Sequence, residues 1–161
     1  MDLGLDGARA LIGGGSSGLG LAVGTALSGE GARVALAARP SERLEAAASS
    51  VEGSVAVGVD LESVDGPASA VQRAVETFGG LDAVLVNSGG PPPGTFDALD
   101  DATWDRAIQG TLLGAVRLIR AALPHLRHSD RPAILVILSS SAREPIPGLL
   151  RRTRSAPASR A

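Results

Sequence analysis

The stretch ARALIGGGSSGLGLAVGTAL, residues 8–27, decides how this chain folds. ARALIG (Ala8–Gly13) reads as an apolar strand, and the GGGSSG run that follows it reads as a turn. Leu19, Ala22, Val23, Ala26 and Leu27 then recur at helical spacing and predict one apolar helix face. The Gly29–Gly31 stretch ends that helix. Glycines let the backbone turn tightly and approach a phosphate, and the helix N-terminus supplies unpaired N–H groups and a positive dipole end.

The same pattern continues downstream. ARVALAA (Ala32–Ala38) reads as a second strand, with Ser41 as N-cap of a helix through about Ala48. SVAVGVD (Ser54–Asp60) reads as a third, followed by a helix carrying Val71, Ala74, Val75 and Phe78 on one side. LDAVLVN (Leu81–Asn87) reads as a fourth. After the turn GGPPPG, a long helix is predicted over 101–126. Ile108, Leu112, Ala115, Ile119 and Leu123 form its apolar stripe, Arg106, Arg117 and Arg120 lie elsewhere on its surface, and Pro124 marks its last turn. AILVILS (Ala133–Ser139) reads as the fifth strand.

These strands are continuous apolar runs rather than alternations, which suits a parallel sheet covered on both faces. Strand–helix–strand repetition with right-handed crossovers predicts an α/β fold: a doubly wound parallel sheet of the Rossmann kind, with about five strands. Residues 1–148 form the predicted domain. The arginine-rich tail, 149–161, is polar and aperiodic and is expected to be disordered.

Composition narrows the chemistry. A chain of 161 residues with 44% hydrophobic content fits one folded domain, and a net charge of −2 gives no global electrostatic case for nucleic acid or an anionic membrane. All 15 basic residues are arginine, and tyrosine and cysteine are absent. The chain therefore offers no phenol, no primary-amine side chain, no thiolate and no disulfide. His125 and His128, in PHLRHSDR, read as a solvated cap that complements a helix dipole rather than as a metal pair, so no metal is expected. The N-terminus lacks a basic region followed by an apolar run, and the longest apolar stretch, Ala133–Leu138, is too short to cross a bilayer. A cytoplasmic location is the expectation.

In such a sheet the ligand sits at the carboxyl ends of the strands, near the point where strand order reverses. Gly14, Ser16, Ser17, Gly18, Leu19 and Gly20 would surround a pyrophosphate there. The second strand ends in Ala37-Ala38-Arg39. With no acidic residue there to take a ribose 2′-hydroxyl, and a guanidinium to pair with a 2′-phosphate, NADP (NADPH) is favoured over NAD.

GGGSSGLG resembles the TGxxxGxG loop of the short-chain dehydrogenase/reductases, with Gly14, Gly18 and Gly20 as its glycines and Gly13 where threonine is usual. Asp60, in VDL, resembles the family's adenine-contacting aspartate. NSGG (Asn87–Gly90) resembles its NNAG motif, with Ser88 in place of the second asparagine. Ser140, in SSS, best matches its catalytic serine. The resemblance covers residues 1 to about 148 and is nearest the 3-oxoacyl-[acyl-carrier-protein] reductase type. It implies NADP(H)-dependent hydride transfer to or from a carbonyl or secondary alcohol, on a small-molecule carbonyl or acyl thioester substrate. Asp60 and Leu61 would sit beside adenine, and Asn87, Ser88 and Gly89 along the riboses. The helix over 101–126 would build a homo-oligomer interface.

Catalysis in the family is attributed to an Asn–Ser–Tyr–Lys set. Ser140 matches the serine, and Thr111 aligns with the asparagine. Where tyrosine and lysine belong stand Arg151, Arg152, Thr153, Arg154 and Ser155. Arginine is no proton donor at ordinary pH, since its pKa exceeds about 12. Against the family pattern the chain therefore reads as C-terminally truncated and catalytically incomplete, with its fifth strand an uncovered edge. Two other readings stand beside this one. A non-catalytic dinucleotide-binding module is favoured by the missing pair. A methyltransferase is disfavoured because it usually wants an acidic residue after the second strand.

Overall fold

The computed structural model describes residues 3–87, 89–90 and 96–139. Ser88, Ser140 and the tail at 149–161 lie outside the described residues.

Each apolar run forms a strand, slightly shorter than its sequence suggests: β1 (Arg9–Gly13), β2 (Arg33–Ala38), β3 (Ser54–Gly58), β4 (Ala83–Val86) and β5 (Ala133–Val136). Among the described residues they make one parallel sheet in the order β3-β2-β1-β4-β5. β1 is central, with Ile12 paired to Leu36 on one side and to Leu85 on the other. Strand order reverses between β1 and β4, so the switch point lies at the end of β1, where the glycine loop begins.

Side chains alternate across the pleat and feed two cores. On one face Ile12, Val34 and Leu36 pack under α1 (Gly18–Gly29) and α2 (Glu42–Ser50), with Leu44 and Ala47 contributed by α2. On the other, Leu11, Ala35 and Val57 meet Ala70, Val71, Ala74 and Phe78 of α3 (Gly66–Phe78). Leu118, Ala122 and Leu126 of α5 (Gly114–Leu126) complete that layer. Ser41 caps α2 as its sequence predicts, its Oγ accepting the Leu44 N–H at 3.3 Å.

Two predicted helix faces are corrected. The apolar face read for α1 packs only in part, through Val23 and Leu27. Leu19 is 65% exposed and Ala22 and Ala26 face solvent, while the buried positions are Gly20 and Gly24. The helix lies too close to the sheet for larger residues: a Cβ on Gly24 would come within 2.8 Å of Leu36 Cδ2. The long helix over 101–126 is three pieces, α4 (Asp101–Ala107), a π-helical segment (Ile108–Leu113) and α5. Its buried line runs through Ala107, Gly110, Gly114, Leu118, Ala122 and Leu126, one position away from the predicted stripe. Ala115 and Ile119 flank the core, while Ile108 and Leu112 are exposed, Leu112 by 57%.

The sheet is tied at the amino ends of its strands. Asp82, 4% exposed at the start of β4, accepts from the Arg9 backbone N–H at 2.9 Å and from its Nε at 2.8 Å and Nη2 at 2.6 Å. Ser129 Oγ donates to the same carboxylate at 2.7 Å. The Arg9 hydrogen bonds, seconded by that of Ser129, hold the Asp82 carboxyl well below the usual carboxylate range despite burial. Arg33 donates to the carbonyls of Thr77 and Phe78 at the end of α3 and stacks 4.6 Å above the Phe78 ring. Among the described residues β5 is the outer strand, and Ile134, Leu135 and Val136 are exposed.

Candidate dinucleotide site

At the opposite end of the sheet, the carboxyl ends of β1 to β4 enclose a cavity of about 860 Å³. The glycine loop forms its floor. Gly14 has φ +64°, and a Cβ there would meet Asn87 Nδ2 at 2.8 Å and its carbonyl oxygen at 2.9 Å, so glycine alone lets the loop pass β4. Gly20 serves contact rather than conformation: its missing side chain lets α1 ride on the loop, where a Cβ would fall 2.3 Å from the Gly14 oxygen. The Gly15 N–H donates to Ala37 O at 3.1 Å and fixes the loop against β2.

α1 opens at Ser17, whose side chain makes no capping hydrogen bond, and its first turn holds no acidic residue. Its leading N–H groups and dipole therefore stay available to an anion. The loop thus fits a bound phosphate or pyrophosphate by its bare backbone, the half-buried Ser16 and exposed Ser17, and its uncapped helix end.

The predicted residues divide into two groups. Gly14, Ser16, Ser17, Arg39, Asp60 and Leu61 line the cavity, together with Asn87 and Gly89. Gly18, Leu19 and Gly20 do not. Gly18 turns the chain at φ +55°, Leu19 points to solvent, and Gly20 is buried beneath Gly14. Ser88 and Ser140 lie outside the described residues.

Thr111 sits in the π-helical segment and does not line the cavity. Its hydroxyl donates to Ala107 O at 2.6 Å. That proton is committed to the helix, so the side chain retains only acceptor capacity toward any water. A π-helical turn inside a long helix is an uncommon device that recurs at functional sites.

The sequence reading missed part of the wall. Ser41, Glu42 and Arg43, at the start of α2, line the cavity, as does Glu62 beyond β3. Glu42 adds a carboxylate to the rim after β2, where the strand-end residues Ala37-Ala38-Arg39 offered none. The cavity carries Arg39 and Arg43 against Glu42, Asp60 and Glu62. The capping serine was the available signal, because a helix capped two residues after Arg39 brings its first turn to the same rim.

A parallel α/β sheet of this strand order, with a glycine loop at its switch point and a cavity across the ends of β1 to β4, defines a nucleotide-binding Rossmann class. The family model described as "short chain dehydrogenase" matches residues 8–151, and the chain belongs to that family. An uncharacterized oxidoreductase of Mycobacterium bovis is 34% identical over 142 residues, covering 86% of this chain and 58% of the relative. L-sorbose reductase from Gluconobacter frateurii, solved with NADPH and L-sorbose, superposes with a TM-score of 0.87 at 33% identity, covering 92% of this chain and 59% of that one. The NADH-dependent reductase A1-R′ gives 0.82 at 27% identity, over 88% and 62% of the respective chains. The chain thus spans somewhat more than half the length of the proteins it matches. Among the described residues no helix is long and apolar enough to cross a membrane, and no group of ligating side chains could hold a metal.

Proposed function

We propose that these residues form the NADP(H)-binding part of an oxidoreductase that moves hydride between a nicotinamide and a carbonyl or secondary alcohol. The observation that carries the reading is the cavity itself. Its floor is an anion-binding loop, and its rim at the end of β2 presents Arg39 and Arg43. Two guanidiniums there favour a ribose 2′-phosphate, and Glu42 between them weakens the preference without reversing it. The NADPH complex of the sorbose reductase supports this choice, while the NADH-dependent neighbour shows that the family accommodates either form.

Gly14, Ser16 and Ser17 would hold the pyrophosphate, Asp60 and Leu61 the adenine, and Asn87 and Gly89 the riboses, with Gly18, Leu19 and Gly20 shaping the loop from outside the cavity. The bound nicotinamide supplies or accepts the hydride. The chain's own contribution to proton transfer is small, because it has neither tyrosine nor lysine. Ser140 would orient the substrate oxygen, and Thr111 would support a water as acceptor only. A positioned acid–base group is worth about 10²–10⁴ in rate, so turnover by these residues alone is expected to be severely reduced. The oxidoreductase relatives favour this reading over a purely non-catalytic module.

The motif set remains nearest the 3-oxoacyl-[acyl-carrier-protein] reductase type, and the substrate class is a small carbonyl or acyl thioester. A cytoplasmic location fits such a substrate. Exposed Ile108, Leu112 and Val116 form a stripe along the helix over 101–126 that suits a homo-oligomer interface.

Mixing the chain with NADPH is expected to enhance and blue-shift the nicotinamide fluorescence. Slow NADPH oxidation with a panel of ketones and acyl thioesters is expected to follow. Binding of neither NADPH nor NADH by folded protein overturns the proposal.

A further inference from the structure

The turn that follows β3 brings Asp60, Leu61 and Glu62 to the cavity wall. Its shape is held from within. Asp60 Oδ1 accepts the Glu62 N–H at 3.0 Å, and Ser63 Oγ donates to Asp60 O at 2.8 Å while accepting the Gly66 N–H at 2.9 Å. Glycine at 66 lets α3 start directly on this turn, since a Cβ there would overlap the Asp60 carbonyl.

Where the turn stands is decided from behind, by the helix over 101–126. Gly110 and Gly114 lie on the buried line of that helix, one in the π-helical segment and one at the head of α5. Glycine inside a helix is unfavourable relative to alanine, so two of them on the packed face answer a need for close approach. They meet different parts of the turn. A Cβ on Gly110 would lie 3.2 Å from Cγ and Cδ of Glu62, an exposed side chain that can swing aside. A Cβ on Gly114 would lie 2.9 Å from the Leu61 carbonyl oxygen, which is backbone and cannot. Gly114 also closes the π-helical segment, its N–H donating to Gln109 O, so the contact falls where the segment carrying Thr111 ends.

We infer that Gly114 is a positioning residue for the nucleotide cavity: by admitting the Leu61 carbonyl against the long helix, it sets how far the wall after β3 stands from the glycine loop. This inference rests on the dinucleotide reading above. The loop is fixed to β2 through the Gly15 N–H and Ala37 O, whereas the wall rests on α5. A ligand that spans both fits one separation only. A methyl group at 114 moves the wall and leaves the loop in place, and restoring ordinary van der Waals contact needs a shift of about 0.5 Å. Where geometry is exacting a 1 Å misplacement costs about a hundredfold, so half that distance predicts a loss of about tenfold.

Fluorescence titration of the full chain with NADPH tests this. Gly114→Ala is expected to raise the Kd about tenfold. The blue shift and intensity at saturation should stay those of the wild type, because the nicotinamide end does not rest on the wall that moves. Its urea midpoint should also stay near the wild type, since alanine is the better helix former. Gly110→Ala, the same substitution one turn earlier, should change the Kd by about twofold or less, the cost of turning one exposed side chain. An unchanged Kd in Gly114→Ala, equal losses in both variants, or an altered spectrum at saturation overturns the role of Gly114 and leaves the dinucleotide site intact. Should Gly114→Ala not fold, Ser63→Ala loosens the same wall from within and should raise the Kd about threefold or more. An unchanged Kd there overturns the inference. Failure of the folded wild type to bind NADPH or NADH overturns the dinucleotide reading and this inference together.

Discussion

Replacing Arg39 by alanine is the sharpest probe of cofactor choice. Arg39 is exposed on the cavity rim, so its bond to a 2′-phosphate falls at the lower end of the range for hydrogen bonds to charged groups, about 1.5 kcal/mol. A bidentate fork would bring this nearer 3 kcal/mol. Converted at about 1.4 kcal/mol per decade, Arg39→Ala should weaken NADPH binding about 10- to 100-fold. NADH, which lacks the phosphate, should change by about twofold or less, within the scatter expected of a surface substitution. Glu42→Gln should act in the opposite direction. Removing a solvent-screened like charge is worth about 0.5–1 kcal/mol, so NADPH should bind about two- to fivefold tighter. Both effects should shrink as salt is raised toward 1 M, where the screening length falls to about 3 Å. The assay is a fluorescence titration of each variant with both nucleotides at low and high salt. Equal losses for NADPH and NADH in Arg39→Ala, or an unchanged ratio, would refute the placement of the 2′-phosphate on this rim.

Three further outcomes follow from the geometry. Gly20→Ala places a Cβ 2.3 Å from a backbone oxygen of the glycine loop. It should cost about 1–3 kcal/mol in urea unfolding and abolish detectable NADPH binding. Asp82→Asn should cost about 2–4 kcal/mol at neutral pH, because it strands the Arg9 guanidinium and halves the acceptor set of a buried carboxylate. Since the folded-state pKa of Asp82 is depressed, its stabilisation is present above the unfolded value near 3.9 and is lost as pH falls below it. The gap between wild type and Asp82→Asn, followed by denaturant titration, should therefore narrow steadily below about pH 4. Ser41→Ala removes the α2 cap and should lower stability by about 1 kcal/mol, with a smaller loss of NADPH affinity as the Glu42–Arg43 turn frays.

Much of the architecture was legible because its signals are local. Apolar runs bounded by glycine and serine gave the strands, and their alternation with helices gave the parallel sheet. Ser41 announced the start of α2 through capping chemistry alone. The helix faces were less legible, and Gly20, Gly24, Gly110 and Gly114 explain why. Hydropathy treats glycine as neutral, yet here it marks the closest contacts, while Leu19 and Leu112 turn outward. In the long helix the packed line runs one position from the predicted stripe already at Ala107, ahead of the π-helical segment. Within the site, the glycine loop, Arg39, Asp60 and Asn87 were readable from their places at strand ends. Glu42, Arg43 and Glu62 were not, because they reach the cavity from turns whose direction only the tertiary structure sets. Asp82 was hidden inside an apolar run that reads simply as strand.

The guanidiniums of Arg9 and Arg33 sit at the far end of the sheet from the cavity and join strand starts to the end of α3. This separates the anchoring of the fold from the recognition surface. Drift in the loops after β2 and β3 can retune which nucleotide is accepted while the foundation stays put. A lysine could not inherit the post of Arg33, because one ammonium cannot both span neighbouring carbonyls and lie flat on a ring. A protein built only with arginine as its cation has thereby gained a base that tolerates experiment at its rim.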